Sequence, residues 1–192
     1  VAEDGQIRLN SIDINRLAYQ DLRHSIRTVT QEPFLFSDTV ENNIAFAIED
    51  RPEDWQEHFP SLLKQAALRE EVDKFPLQEQ TIVGEKGILL SGGQKQRISL
   101  ARAMATSCDL LILDNVLSAV DYETERYLLQ QIFARRQAKS LLIVSHRVTA
   151  VEKADWILVL DEGRIVAQGT HEELLQQPGY YQEMWALQHE TS

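Results

Sequence analysis

Two short runs of wholly apolar residues, each closed by polar ones, stand out along the chain. Leu110–Leu113 ends in Asp114, and Leu141–Val144 ends in Ser145, His146 and Arg147. Uniform apolar runs of this length predict buried parallel strands, with their polar ends at the edge where ligands of open α/β sheets gather. From Cys108 onward the pattern alternates strand and helix. Tyr122–Arg136 reads as a crossover helix, Trp156–Leu160 and Ile165–Gln168 as a hairpin turning through Asp161–Arg164. Thr170 and Glu173 have capping-box spacing, opening a helix that Pro178-Gly179 stops. An amphipathic helix, Tyr180–His189, follows, with Tyr181, Met184 and Trp185 as packing residues.

The first half reads differently. Gln6–Leu9 and Ile12–Ile14 predict strands joined by the turn pair Asn10-Ser11. Tyr19–Ser25 predicts a short helix, and Ile26–Val29 a strand that delivers Gln31 to the sheet edge. Between Glu32 and Ser107 strand signals vanish, and helical segments are expected near Thr39–Phe46, Glu53–Gln65 and Leu68–Phe75. Phe34, Leu35 and Phe36 suit either core or interface.

The stretch Gly87–Arg97 carries the most chemistry. Ser91 stands three residues before Gln94, the spacing of a capping box, so a helix is predicted from about Gln94 to Thr106. Gly92 and Gly93 in its first turn each cost about 1 kcal/mol of helix propensity. That cost makes sense if something approaches the backbone closely. A helix N-terminus offers unpaired N–H groups and the positive end of a dipole, which suits a phosphate.

Leu90–Gln94, Leu110–Asp114, Ser118–Asp121 and Ser145-His146 resemble the signature motif, Walker B strand, D-loop and H-loop of an ABC ATPase. Gln31 within Val29–Phe36 resembles the Q-loop, and Thr81–Gly87, with Glu85, the X-loop of ABC exporters. The resemblance implies an α/β fold: a P-loop NTPase (RecA-like) core with a mostly parallel sheet and an inserted α-helical subdomain. Its parts would be residues 1–31 and 108–192 for the core and 32–107 for the helical insertion.

It also implies ATP and Mg²⁺ as cofactors. Asp114 and Gln31 would hold Mg²⁺, Gln31 and His146 would serve catalysis, and Ser91, Gly92, Gly93, Gln94 and Asp121 would meet nucleotide at a domain contact. The implied partners are a second nucleotide-binding domain and a transmembrane domain reached through the Q-loop and the X-loop. The implied location is the cytoplasmic face of a membrane. Two departures matter. The pattern G-x-x-x-x-G-K-[ST] is nowhere in the chain, and in the family that phosphate loop lies upstream of a start like this one. A truncated domain is therefore expected, a naturally loop-free relative being the alternative. The residue after Asp114, usually a Glu that polarises water, is Asn115. An amide cannot take a proton at neutral pH. The resemblance reads such a chain as the degenerate half of a heterodimeric exporter, inactive by itself, with an engineered substitution also open.

Composition narrows the field. The net charge of −11 argues against a nucleic-acid surface, and no apolar run nears the roughly 20 residues that span a bilayer. Cys108 is the only cysteine, which excludes an internal disulfide, and the five histidines lack metal-ligand spacing. Two further readings stay open: a nucleotide-gated switch that never turns over, and a soluble ABC ATPase of the DNA-repair or translation-factor kind. Repair-type members carry long coiled coils between Q-loop and signature, whereas about sixty residues separate Gln31 from Ser91.

Overall fold

The structure, a computed structural model, describes residues 6–85, 87–134 and 138–190. Strands β1 (Arg8–Leu9) and β2 (Ile12–Asp13) pair antiparallel across Asn10 and Ser11, both at positive φ (49° and 67°). Two successive left-handed residues give the turn its hairpin twist. Helix α1 (Tyr19–Ser25) and strand β3 (Ile26–Val29) follow with the expected boundaries.

The next stretch alternates short helices with irregular chain and holds one short strand pair. Strand β4 (Asp38–Thr39) precedes α2 (Val40–Ala45), α3 (Trp55–Gln65) and α4 (Arg69–Val72), and β5 (Ile82–Val83) returns to pair antiparallel with β4. The expectation that strands vanish here is corrected by that pair. Two residues a side is too short for a period-2 pattern to show. Helix α5 (Gly92–Met104) packs on β3 as well as on α2 and α3, so sheet and helices share one core. That core includes Val29, Ile44, Leu63, Ile98, Leu113 and Leu128, all essentially sealed from solvent.

Strand β6 (Cys108–Asp114), helix α6 (Tyr122–Ala134) and strand β7 (Ala138–Val144) complete the sheet, in the order β3-β6-β7 with both pairs parallel. The expected last turn of α6, at Arg135 and Arg136, lies outside the described residues. Register sets Val29 beside Leu113 and Asp114 beside Val144. The residues that follow Val29, Leu113 and Val144 therefore leave the sheet at one edge.

Strands β8 (Ile157–Asp161) and β9 (Arg164–Gly169) form a separate antiparallel hairpin that turns at Glu162 and Gly163, both at positive φ. A cleft of about 1020 Å³ separates it from β7. Leu142 and Val144 on β7 and Trp156, Leu158 and Leu160 beside or on β8 line it, each about half exposed. Helix α7 (His171–Leu175) opens on the expected capping box of Thr170 and Glu173, and α8 (Tyr180–Glu190) packs its Tyr181 into a second small core with Val148, Ile157, Val159 and Leu174. Among the described residues no helix is long and apolar enough to cross a membrane.

Burial, with Glu152 and Glu172 nearby, pushes the Tyr181 phenol up to about 12. An unfolded tyrosine ionises near pH 10. The proton is held more tightly in the folded state, so this contribution is complete below about pH 10 and is lost as pH rises toward 12. Thermal unfolding of Tyr181→Phe, followed by circular dichroism, should show a shallower fall in Tm across that window than the parent chain. Parallel curves would contradict this.

Candidate functional site at the sheet edge and the α5 N-terminus

The parallel register gathers four of the expected residues at one edge. Gln31 is exposed two residues beyond β3, and its backbone carbonyl accepts a hydrogen bond from the Gln96 side-chain amide at 3.0 Å. Asp114 is exposed as the last residue of β6. Asn115 turns the chain out of the strand with φ 50°, a conformation Asn tolerates better than most residues. Its N–H donates to Val144 O at 2.8 Å, and its carbonyl accepts from the Ser118 hydroxyl at 2.9 Å. His146 is exposed two residues beyond β7, and its carbonyl accepts from Gln188 at 3.1 Å. An acid, two amides and an imidazole thus share one solvent-facing edge, with no proton-accepting side chain at position 115.

The α5 N-terminus forms as expected. Ser91 Oγ accepts from Gln94 N at 3.2 Å, and Gln94 Oε1 accepts from Ser91 N at 2.8 Å. The helix begins at Gly92, two residues earlier than predicted, so both glycines are its first residues. The reason for them divides. A Cβ on Gly93 would lie 2.8 Å from Ala119 O, so the close approach there comes from the chain's own backbone. A Cβ on Gly92 would meet nothing within 4 Å. Gly92 is the position left open to something outside the chain. One turn on, Arg97 anchors the helix, donating to Ala67 O at 2.6 Å and to Glu71 at 2.6 Å.

Asp121 is exposed and caps α6. Its carboxylate accepts from the amide and hydroxyl of Thr124 at 3.0 and 2.8 Å, and these bonds hold it below the usual carboxylate range. Glu85 is exposed in the turn after β5, while its neighbour Lys86 lies outside the described residues. That turn packs on the segment after Gln31: Gly84, at φ 88°, has its Cβ position 2.9 Å from Phe36 O. Leu35 is core, but Phe34, Phe36 and Phe46 form an exposed aromatic group, with ring centroids 5.0 and 4.3 Å apart in succession. The Arg102 guanidinium lies 5.9 and 5.6 Å from the Phe36 and Phe46 rings and donates to Phe34 O at 3.2 Å.

Sequence pattern alone did not mark Gln96 and Glu125 at this site, and it marked Arg147 only as part of the polar end of its strand. Gln96 and Glu125 are polar side chains at buried helix positions, 4% and 1% exposed. A polar residue in phase with the apolar face of its helix is the one signal that could have flagged them.

Comparison with known proteins identifies the family and the fold. The ABC transporter family model matches residues 1–118. The chain is 40% identical over 185 residues to the multidrug resistance-like ATP-binding protein MdlA of Escherichia coli, covering 96% of the chain and 31% of that protein. It is 41% identical over 185 residues to the ATP-dependent lipid A-core flippase of Pseudomonas putida, covering 96% of the chain and 30% of the flippase. A bacterial Atm1-family ABC exporter solved with ATP bound superposes with a TM-score of 0.88 at 34% identity, over 97% of this chain and 32% of that one. The chain thus spans about a third of the length of the relatives it matches. With its parallel β3-β6-β7 sheet and the capped helix α5 packed against it, it belongs to the ABC transporter family and has the P-loop NTPase fold of that family's nucleotide-binding domains.

Proposed function

We propose that this chain belongs to an ATP-binding domain of an ATP-hydrolysing ABC exporter, and that it serves as the degenerate half of a heterodimer whose hydrolysis takes place at the partner's site. The observation that carries the reading is the contrast between its two functional ends. Ser91 and Gly92 are intact and open to solvent, while the residue after Asp114 is Asn115. In this reading residues 32–107 act as the helical subdomain between two parts of a RecA-like core, residues 1–31 and 108–192. ATP binding would draw this domain against a second one and drive export across the membrane from its cytoplasmic face. The −11 charge and the X-loop turn at Glu85 favour an exporter over a soluble ATPase.

The donor set at the sheet edge fits Mg²⁺ in part. Among the described residues no group of three or more His, Cys, Asp or Glu could hold a metal ion by itself. Asp114 and Gln31 supply two oxygen donors at one edge, which suits an ion that takes its other ligands from phosphate and water. Mg·ATP, when bound, supplies the γ-phosphoryl group and an ion that offsets its charge. Gln31 also orients water, and His146 donates toward the γ-phosphate. The Asn115 amide can donate or accept a hydrogen bond but cannot remove a proton, so this chain's own site holds nucleotide without turning it over. The Ser91 hydroxyl, whose proton the cap does not use, and the backbone of Gly92 and Gly93 serve the nucleotide held by the partner domain. Gln94 keeps that helix end in shape, and Asp121 shapes the contact between the two domains. The exposed Phe34, Phe36 and Phe46 form an apolar surface of the kind that marks an interface, here for the transmembrane domain, alongside Glu85.

The chain supplies edge and signature residues but no phosphate loop, so its own hold on ATP should be weak. Titrating a fluorescent ATP analogue into the 192-residue chain should show no saturation at micromolar concentrations and no phosphate release. Micromolar saturation with steady release would overturn this division of roles.

A further inference from the structure

The loop after Asn115 is held from two sides. Ser118, Ala119 and Val120 lie between β6 and α6, outside helix and sheet, yet each of their three successive carbonyls has a contact. Arg147 Nη2 donates to Ser118 O at 3.4 Å and to Val120 O at 3.4 Å, and Arg147 Nη1 donates to Val120 O at 3.3 Å. Between those two carbonyls, Ala119 O presses on Gly93, 2.8 Å from its Cβ position. The guanidinium is itself fixed. Arg147 Nη1 pairs with the carboxylate of Glu125, which is 1% exposed and also accepts from Thr149 Oγ1 at 2.9 Å.

We infer that Arg147 is a positioning residue for the signature helix. It acts through the backbone of Ser118–Val120 to set where Gly93, and with it Ser91 and Gly92, are presented. The inference rests on the reading that Ser91–Gly93 act on the partner domain's nucleotide. The Glu125 carboxylate is sealed from water while the Arg147 side chain is 37% exposed, so the pair is a poor way to gain stability: burying the carboxylate consumes much of the attraction. Here the pair orients a planar fork whose remaining N–H groups reach two carbonyls on either side of Ala119. Arg147 adjoins His146, so the same residue links the H-loop end of β7 to the start of α5. A lysine retains a charge for Glu125 but has no fork, so it cannot keep that pair and span Ser118 O and Val120 O together.

The test uses the full-length exporter that contains this chain and its partner. Arg147→Lys should leave Tm and the KM for ATP close to the parent values and lower kcat about tenfold, the signature of a misplaced rather than missing group. Glu125→Gln, which releases the guanidinium without emptying the site, should lower kcat in the same direction. Parental kcat in Arg147→Lys overturns the inference. So does a rise in KM at unchanged kcat, which would put Arg147 on the nucleotide itself. Should Arg147→Lys fail to fold, parental kcat in a folded Glu125→Gln overturns it equally. Gly92→Glu run in parallel separates two failures. If that variant is dead while Arg147→Lys is fully active, the role of Arg147 falls alone. If Gly92→Glu is active, the reading of the signature beneath it falls too.

Discussion

Gly92→Glu in this chain is expected to abolish ATP hydrolysis by the full-length exporter while leaving the domain no less stable. Nothing lies within 4 Å of the position its Cβ would take, so the side chain has room. Replacing a helical glycine gains up to about 1 kcal/mol of helix propensity. A carboxylate at the first residue of α5 also sits at the favourable end of the dipole, worth about 0.3–1 kcal/mol. Local physics therefore predicts a neutral or slightly raised Tm. On the proposed reading function should move the opposite way, because the new negative charge would stand where a partner's γ-phosphate is received. Losing electrostatic stabilisation and meeting like charge together should cost at least about a hundredfold in rate. Gly93 is the weaker probe. Any side chain there collides first with Ala119 O inside the chain, so loss of activity would confuse packing with phosphate binding. Steady-state ATPase assays beside thermal melts decide the matter; a Gly92→Glu exporter with parental activity would sink the trans role of the signature.

On the proposed reading, Asn115→Glu should give this chain's own site a hydrolytic step. The backbone at 115 is pinned on both sides, by Val144 O at its N–H and by Ser118 at its carbonyl, so the new carboxylate replaces the amide without moving the strand end. General-base assistance contributes about 10²–10⁴ in rate. The structural cost is small. Glu at φ 50° is less comfortable than Asn, a difference of about 1 kcal/mol. A single-turnover assay on the full-length exporter should show cleavage at a second site in the variant. The same yield of ADP before and after the change would mean that Asn115 is not what silences the site.

What the sequence disclosed and what it hid differ in physical kind. Strand β6 was readable because a strand covered on both faces leaves an unbroken apolar run; β7 carries a similar run although Leu142 and Val144 are half exposed, and the capping boxes at Ser91 and Thr170 were readable because their spacing is local. Parallel pairing of adjacent strands then brings Gln31, Asp114, Asn115 and His146 to one edge. The β4–β5 pair stayed hidden because two residues carry no period. Phe34 and Phe36 look no different in sequence from Leu35, yet only Leu35 is core; apolar character does not say which surface covers it. The contact of Gly93 with Ala119, the Gln96 bond to Gln31 and the Arg147 fork join residues 26, 65 and 27–29 positions apart, and no local pattern encodes such pairs.

If this chain's site holds ATP while its signature completes the partner's, the two bound nucleotides must differ after one round of turnover. Counting them is the most direct test. The full-length exporter is loaded with labelled ATP, allowed one round of turnover, freed of unbound nucleotide and quenched. The parent protein should then carry one intact ATP and one ADP per exporter, and only ADP once Asn115 is changed to Glu. Two ADP per parent exporter would contradict the asymmetry between the two sites.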